Sequence, residues 1–481
     1  MRSGLRALSE IARFDEEADV VVVGLGAAGA AAAIEAARAG ARTVVLERAS
    51  GGGGTSALSG GVLYLGGGTA LQKACGYDDS PEQMFAYLMA STGDAPDEAK
   101  TRLYCEGSVE HYAWIAAQGV PFKPTFYEGV SGEPPTDDGL VWSGSERCHP
   151  FCDAAKPAPR GHVPQHPHQT GHVLMRFLVE SAQASGARLE TDARVTALVV
   201  DADGAVCGVV AKRFGALRTL RARGGVILAT GGFIHADDML RRYVPLALRC
   251  KVRVGAEGDD GSGIRLGMAA GGVAIHMDAA SISLPVTQPW GLKRGVLVNA
   301  RGQRFINEDA YYGRIGEAAL FHQDGCAFLI VDDEIFEQPD YVKRVAAVGE
   351  TPGELERELG MPAGSLVATL AVYNQHAELG VDPLFRKQPG YLKPLRVPPF
   401  GAIDCTTEKA IYAVFTLGGL ATDADGRVLD PEGAAIPGLF GAGRATSGLS
   451  VGSYSSGLSL GDATFFGRRA GRAAARSRGG A

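Results

Sequence analysis

Three groups of residues in this 481-residue chain combine types and spacings that could do chemistry. The first is Gly24-Leu-Gly26-Ala27-Ala28-Gly29, set between an apolar run, Asp19 to Val23, and an alanine-rich stretch, Ala27 to Ala39, with a second apolar run from Arg42 to Leu46 ending at Glu47. Glycines so placed let the chain turn tightly, bring backbone amides against a pyrophosphate and seat a helix on a strand; the acid then accepts from a ribose hydroxyl. Strand, helix, second strand and terminal acid in register read as a dinucleotide-binding unit, with Arg48 adjoining. The second group is Cys148-His149-x2-Cys152 with His162, His166, His168 and His172 beyond it. Its C-x3-C-x9-H-x3-H spacing could suit zinc, but prolines break the frame, so a polar loop and no metal are expected. The third is Tyr454-x-Ser456-Gly457, with the adjacent pair Tyr311-Tyr312 elsewhere. By spacing alone a tyrosine in a glycine-rich loop is more often a packing residue. As chemistry, phenols and a serine can hydrogen-bond a neutral carbonyl but cannot neutralise a dianion.

The elements that position these groups belong to a compact globular chain. It is 46% hydrophobic, and its 67 glycines show no short period, which points to tight turns and close backbone approaches rather than a fibrous or disordered chain. Length suggests two or three domains. A net charge of -7 gives no global attraction to nucleic acid or an anionic membrane. The basic run Arg468, Arg469, Arg472, Arg476 and Arg478 reads as a helix end fraying into a tail. With no 18-residue apolar run, no signal-peptide pattern and eight scattered cysteines, a cytoplasmic protein with reduced thiols and no transmembrane segment is expected.

The segments beyond Glu47 narrow the dinucleotide. Gly51 to Gly54, Thr55, Ser56, Ser59, Gly60 and Gly61 form a second small-residue loop; Ala229-Thr230-Gly231 comes directly after the run Val226 to Leu228; Ile436 to Gly443 leads into Arg444. Together these resemble the succinate dehydrogenase/fumarate reductase flavoprotein superfamily, over Asp19 to about Gly471. The resemblance implies an α/β fold: a Rossmann-like FAD-binding domain in two parts, 15–278 and 403–475, with an α+β substrate-capping domain inserted at 279–402. A helix near Ser365 to Glu378 and a proline-rich return, Pro394 to Pro399, agree with that insertion. It also implies Val195 at the adenine, Asp260 in the loop Glu257 to Gly263, and Ser459 and Leu460 at the N-terminus of a helix aimed at the flavin. Residues 51–61 contain no histidine, so the FAD is expected to be noncovalent.

Within the superfamily this chain departs from the carboxylate reducers. Tyr312 stands fifth after Asn307, where fumarate reductases place a proton-delivering arginine, and Tyr454 and serines stand where those enzymes hold a carboxylate-binding arginine. This pattern resembles the 3-ketosteroid dehydrogenases, and Thr446-Ser-Gly448, Tyr454-x-Ser456-Gly457 and Leu460-Gly461-Asp462 most resemble the delta-4-(5-alpha) type. The resemblance implies a steroid ketone held by Gly457 N–H and Tyr454, a proton path through Tyr312 and Ser456, and Tyr311 as a substrate contact. It leaves open which hydroxyl takes the proton first. A tyrosine titrates near pH 10 and needs assistance to act as a base at neutral pH, which a relay through Ser456 could give. Trp142, Phe126, Tyr127 and Trp290 are candidates for an apolar pocket. The electron acceptor is unidentified. The competing readings are a fumarate reductase-like or enoate reductase, a delta-1 dehydrogenase, and a flavin-binding redox protein without a substrate of its own.

Overall fold

In the computed structural model residues 4–286, 288–339 and 344–477 are described; Arg478 of the basic run lies outside them. The chain folds around Glu16–Val23, whose four consecutive valines are buried on both faces, as a central parallel strand requires. On one side it pairs in parallel with Thr43–Leu46, which pairs with Arg188–Glu190. On the other lies the end of the long strand Ala216–Leu228, paired in parallel with Ala435–Gly441. The first half of that long strand runs antiparallel to Val206–Arg213, which pairs with Ala193–Val200. One nine-stranded sheet thus joins a parallel core to an antiparallel meander.

Two helices cover one face of the core, Ala27–Arg38 and the C-terminal helix Leu458–Ser477. Their small residues explain how closely they approach. A β-carbon on Gly467 or Gly471 would collide with the carbonyls of Ala28 or Ala32.

Among the described residues four smaller sheets accompany the nine-stranded one, two of them four-stranded. Val296–Asn299, Ala327–Val331, Phe400–Asp404 and Val345–Gly349 form an antiparallel sheet in that order, backed by Pro352–Glu358 and Ser365–Glu378. Its apolar core extends to Phe233, Leu240 and Tyr412, outside the sheet itself. The second is a small sheet of Leu63–Tyr64, Gly161–His162, Leu140–Trp142 and Phe126–Val130. The architecture is α/β, with the parallel strands of the largest sheet built around the N-terminal β-α-β unit.

The cysteines and histidines of the second motif are dispersed, apart from His166 and His172, whose rings meet edge-on at 5.0 Å. Cys148 donates to the Asp309 carbonyl at 3.1 Å, and Cys152, a free thiol on the short helix Phe151–Ala154, donates to Asp153 Oδ1 at 3.8 Å. His162 is buried between Thr69 Oγ1 at 2.7 Å and the Arg160 carbonyl at 3.0 Å, while His166 is exposed beside the Pro167 carbonyl. Among the described residues no three His, Cys, Asp or Glu side chains are grouped to hold a metal ion, and no helix is long and apolar enough to cross a membrane.

Candidate active site

A cavity of about 600 Å³ runs along the C-terminal ends of the parallel strands, from Glu47 to Ser456. At its first end the backbone does most of the shaping. Gly24 has φ +101°, and a β-carbon there would collide with the Ala229 carbonyl. The Glu47 carboxylate accepts from Leu25 N–H and Ala49 N–H, both at 2.8 Å, which fixes it at the strand end. Ser56 Oγ accepts from Ala27 N–H at 3.1 Å, tying the second small-residue loop to the first helix.

Every residue expected at the cofactor lines this cavity except Gly29 and Asp260. Gly29 serves the helix packing instead: a β-carbon there would collide with the Gly24 carbonyl. Asp260 is not itself in the lining but holds residues that are, Arg48 through Nη1 at 2.7 Å and Ser262 through its N–H at 2.9 Å. The acid that does line it is the neighbour, Asp259. Its carboxylate accepts from Thr55 Oγ1 at 2.8 Å and pairs with Arg444, while Thr55 Oγ1 accepts from Ala256 N–H at 2.8 Å. One carboxylate thereby ties together three distant segments. Nothing in the spacing separates two adjacent aspartates in an irregular loop. Gly132 and Phe415 also line the cavity, and no signal in the sequence marks them.

The residues fit FAD. The walls offer the glycine-rich turn and the N-terminus of Ala27–Arg38 to a pyrophosphate, and an acid at the ribose position. Two buried polar atoms of lining residues, Thr230 Oγ1 and Arg444 Nη1, have no protein partner. Ser459 and Leu460 bring the N-terminus of the 20-residue C-terminal helix to the opposite end, where its dipole favours negative charge.

At that opposite end the loop before the helix is pinned residue by residue. Ser453 Oγ donates to Glu317 at 2.8 Å, Ser455 Oγ meets Tyr87 Oη at 2.8 Å and Ser456 N–H donates to the Ser143 carbonyl at 2.8 Å. Gly457 has φ +94°, and a β-carbon on it would lie 2.8 Å from Tyr64 N. Tyr454 Oη accepts from Gly457 N–H at 3.2 Å and Ser459 N–H at 3.3 Å, and its ring packs edge-on against Phe415. Gly457 N–H, expected to reach the substrate itself, is therefore directed at Tyr454. Burial pushes the Tyr454 phenol up to about 12 against the pull of those two amides, so it is a donor at neutral pH.

The remaining hydroxyls come from another element. Tyr311 and Tyr312, at the start of Tyr312–Glu317, stand with ring centroids 4.1 Å apart. A β-carbon on Gly132 would lie 2.6 Å from both Tyr312 Oη and Ser456 Oγ, so these two groups converge on one point of the wall. The Tyr311 hydroxyl meets Tyr312 and Ser456, and burial raises its pKa well above the ordinary phenol value. Tyr311 packs with Trp142 and Val130, flanked by Phe126 and Trp290. Tyr127 departs from the expected aromatic group: alternation along its strand turns it to the other face, against Val62, Val141 and Val163.

Comparison with known proteins agrees with this geometry. Residues 19–460 match the FAD binding domain family. The 3-oxo-5-alpha-steroid 4-dehydrogenase of Comamonas testosteroni is 31% identical over 90% of this chain and 93% of its own. The crystal structure of the 3-ketosteroid-delta4-(5alpha)-dehydrogenase from Rhodococcus jostii RHA1, in complex with 4-androstene-3,17-dione, is 48% identical with a TM-score of 0.94, covering 98% of this chain and 99% of that one. The cytochrome-type fumarate reductase of Shewanella frigidimarina is more distant, at 27% identity over 95% of this chain and 77% of its own. The chain belongs to the FAD-binding oxidoreductase family that contains the 3-ketosteroid delta-4-(5-alpha)-dehydrogenases.

Proposed function

We propose that the protein desaturates a 3-keto-5-alpha-steroid between carbons 4 and 5, giving the conjugated ketone. The observation that carries this reading is that Tyr454 and Ser456 line one end of the FAD cavity, where Ser456 and Tyr312 converge on Gly132 beside the apolar cluster of Tyr311, Trp142 and Val130. Arg444, the cation nearest Tyr454 in the lining, is committed to Asp259. That end suits a neutral ketone on a hydrophobic skeleton and is poorly equipped for a dicarboxylate.

FAD, when bound, supplies the acceptor for the hydride leaving carbon 5. The chain's own residues handle the carbonyl and the proton. The Tyr454 hydroxyl donates to the ketone oxygen; the two amides on its own oxygen strengthen it as a donor while enolate charge develops. The carbon-4 proton leaves along Ser456 and Tyr312, each releasing its own hydroxyl proton onward as it accepts one, with Tyr311 bridging the pair from the apolar side. Gly457 acts by giving its N–H to Tyr454. The lining residues Gly24, Gly26, Ala27, Ala28, Glu47, Arg48, Gly54, Thr55, Ser56, Ser59, Gly60 and Gly61, together with Val195, Ala229 to Gly231, Gly443, Arg444, Ser459 and Leu460, hold the cofactor.

The same reading divides the chain into FAD-binding parts at 15–278 and 403–475 with a cap at 279–402. It assigns a cytoplasmic site of action and a separate electron acceptor. Turnover of a 5-alpha-3-ketosteroid with an artificial acceptor, and chromatography of the product, tests it. The expected product is the delta-4-3-ketone; a delta-1 product, or reduction of fumarate by the pre-reduced enzyme, would overturn it.

A further inference from the structure

Between the two elements that carry Ser456 and Tyr312 runs the segment Ser143 to Glu146, buried throughout. It is bonded to both. On one side the Ser143 carbonyl accepts from Ser456 N–H at 2.8 Å. On the other, Ser145 Oγ accepts from Tyr311 N–H at 3.1 Å, at the residue that caps the helix Tyr312–Glu317. The segment is fixed in turn by Tyr87, on the helix Pro81–Ser91, whose Oη accepts from Ser145 N–H at 3.0 Å and shares a hydrogen bond of 2.8 Å with Ser455 Oγ. Gly144 lets these hydroxyls meet: a β-carbon there would lie 2.4 Å from Tyr87 Oη and 2.7 Å from Ser455 Oγ.

The Tyr87 ring has little freedom to drift. It is buried, stacked on Tyr64 with centroids 5.9 Å apart and edge-on to Phe151 at 6.0 Å, with the Arg160 guanidinium 5.5 Å from its centre. Arg160 is itself held by Asp79 through bonds of 2.9 and 2.7 Å, both side chains shut off from solvent. Burial pushes the Tyr87 phenol well above its ordinary value, so it acts as a neutral hydroxyl link.

We propose that Ser145 and Tyr87 are positioning residues that set the distance between Ser456 and Tyr312, through the buried chain Tyr311 N–H to Ser145 Oγ, Ser145 N–H to Tyr87 Oη and Tyr87 Oη to Ser455 Oγ. This rests on the reaction proposed above, in which the carbon-4 proton leaves along that pair. Neither residue lines the FAD cavity, so each acts through the elements it holds. A proton passes between two hydroxyls only while their oxygens stay within about 3 Å, so a small drift of one element slows the proton before it weakens binding.

The test uses FAD-loaded protein and a 5-alpha-3-ketosteroid carrying deuterium at carbon 4 or at carbon 5. Tyr87→Phe keeps the ring and removes the central hydroxyl; Ser145→Ala removes the acceptor of Tyr311 N–H. Each should retain flavin, bind the steroid within about twofold of wild type and slow flavin reduction by roughly tenfold. The carbon-4 isotope effect should grow relative to the carbon-5 effect, because the proton step alone is displaced. The double variant should fall well short of the roughly hundredfold loss that two independent effects would give, since both residues belong to one chain. Tyr412→Phe is the control: it loses a buried hydroxyl bond of 2.8 Å to the Cys405 carbonyl, in the separate apolar core of Val296, Leu329 and Ile403, and should leave rate and isotope effects unchanged. If wild type is not reduced by the steroid, the proposed reaction falls and the positioning role with it. If wild type is reduced but Tyr87→Phe and Ser145→Ala match it in rate and isotope effects, or slow only as far as steroid binding weakens, the positioning role alone is overturned. Should Tyr87→Phe fail to fold, Ser145→Ala decides.

Discussion

At the Glu47 end of the cavity much of the wall comes from one stretch of chain, residues 23–56, in which Gly24, Gly26 and Gly54 stand. At the Ser456 end the hydroxyls come from Tyr311-Tyr312, from the loop before the C-terminal helix and, opposite them, from the neighbourhood of Gly132. The first end binds a part of the cofactor common to many enzymes, so local turns suffice. The second end must hold its hydroxyls in register with one another, and here that is done by packing three separate segments together. The contrast predicts different kinds of failure. Damage at the first end removes the cofactor, and damage at the second leaves a yellow but slow protein.

The largest effect is expected from Gly24→Ala. The left-handed backbone and the collision with the Ala229 carbonyl together cost at least about 2–3 kcal/mol. The purified variant should hold little flavin, as read from its absorbance ratio. Tyr454→Phe should keep its flavin and lose about 10²–10³-fold in the rate of flavin reduction, the loss typical of an oxyanion donor. Gly132→Ala is the sharper probe, because Gly132 has no left-handed φ to defend and only the 2.6 Å approach to Ser456 and Tyr312 opposes a methyl group. It should retain FAD and slow by about tenfold, since a misplaced catalytic group costs rate before it costs binding. The smallest effect is expected from Ser453→Ala, which removes the link from the loop to Glu317 and Arg314. Thermal unfolding should report a loss of about 1 kcal/mol, with only a few-fold change in rate.

Asp462 adds a stability test of the same comparison. A carboxyl whose folded value is raised by burial to about 7 contributes against folding once it is ionised. Wild type should therefore lose stability relative to Asp462→Asn as pH rises from the ordinary carboxylate range through about 7. A constant difference across that range, measured by thermal unfolding, would place the carboxyl at an ordinary pKa.

The first end is legible in the sequence because each of its devices is local. A glycine turn, a helix and a terminal acid sit at fixed offsets, and the later Ala229-Thr230-Gly231 and Gly443 segments come after strands that the apolar runs announce. The phenols can be singled out only through likeness to a family, since Tyr454 and Tyr312 are far apart in the chain and nothing periodic connects them. Family likeness points to Asp260 where the cavity holds Asp259, because facing in an irregular loop depends on dihedrals rather than spacing. Gly132 carries no mark at all: the reason it is a glycine lies in two hydroxyls that only the fold brings to it. The Cys148 to His166 spacing misleads in the opposite sense. Its members look like a set in the chain but point to Asp309, Thr69 and Pro167 in space.

The most direct measurement mixes the FAD-loaded protein, without oxygen, with a saturated 5-alpha-3-ketosteroid and monitors the flavin absorbance, with a delta-4-3-ketosteroid and succinate as parallel additions. Rapid bleaching by the saturated steroid alone is the predicted result. Bleaching by the delta-4 steroid or by succinate instead, or by none of the three, would contradict the account.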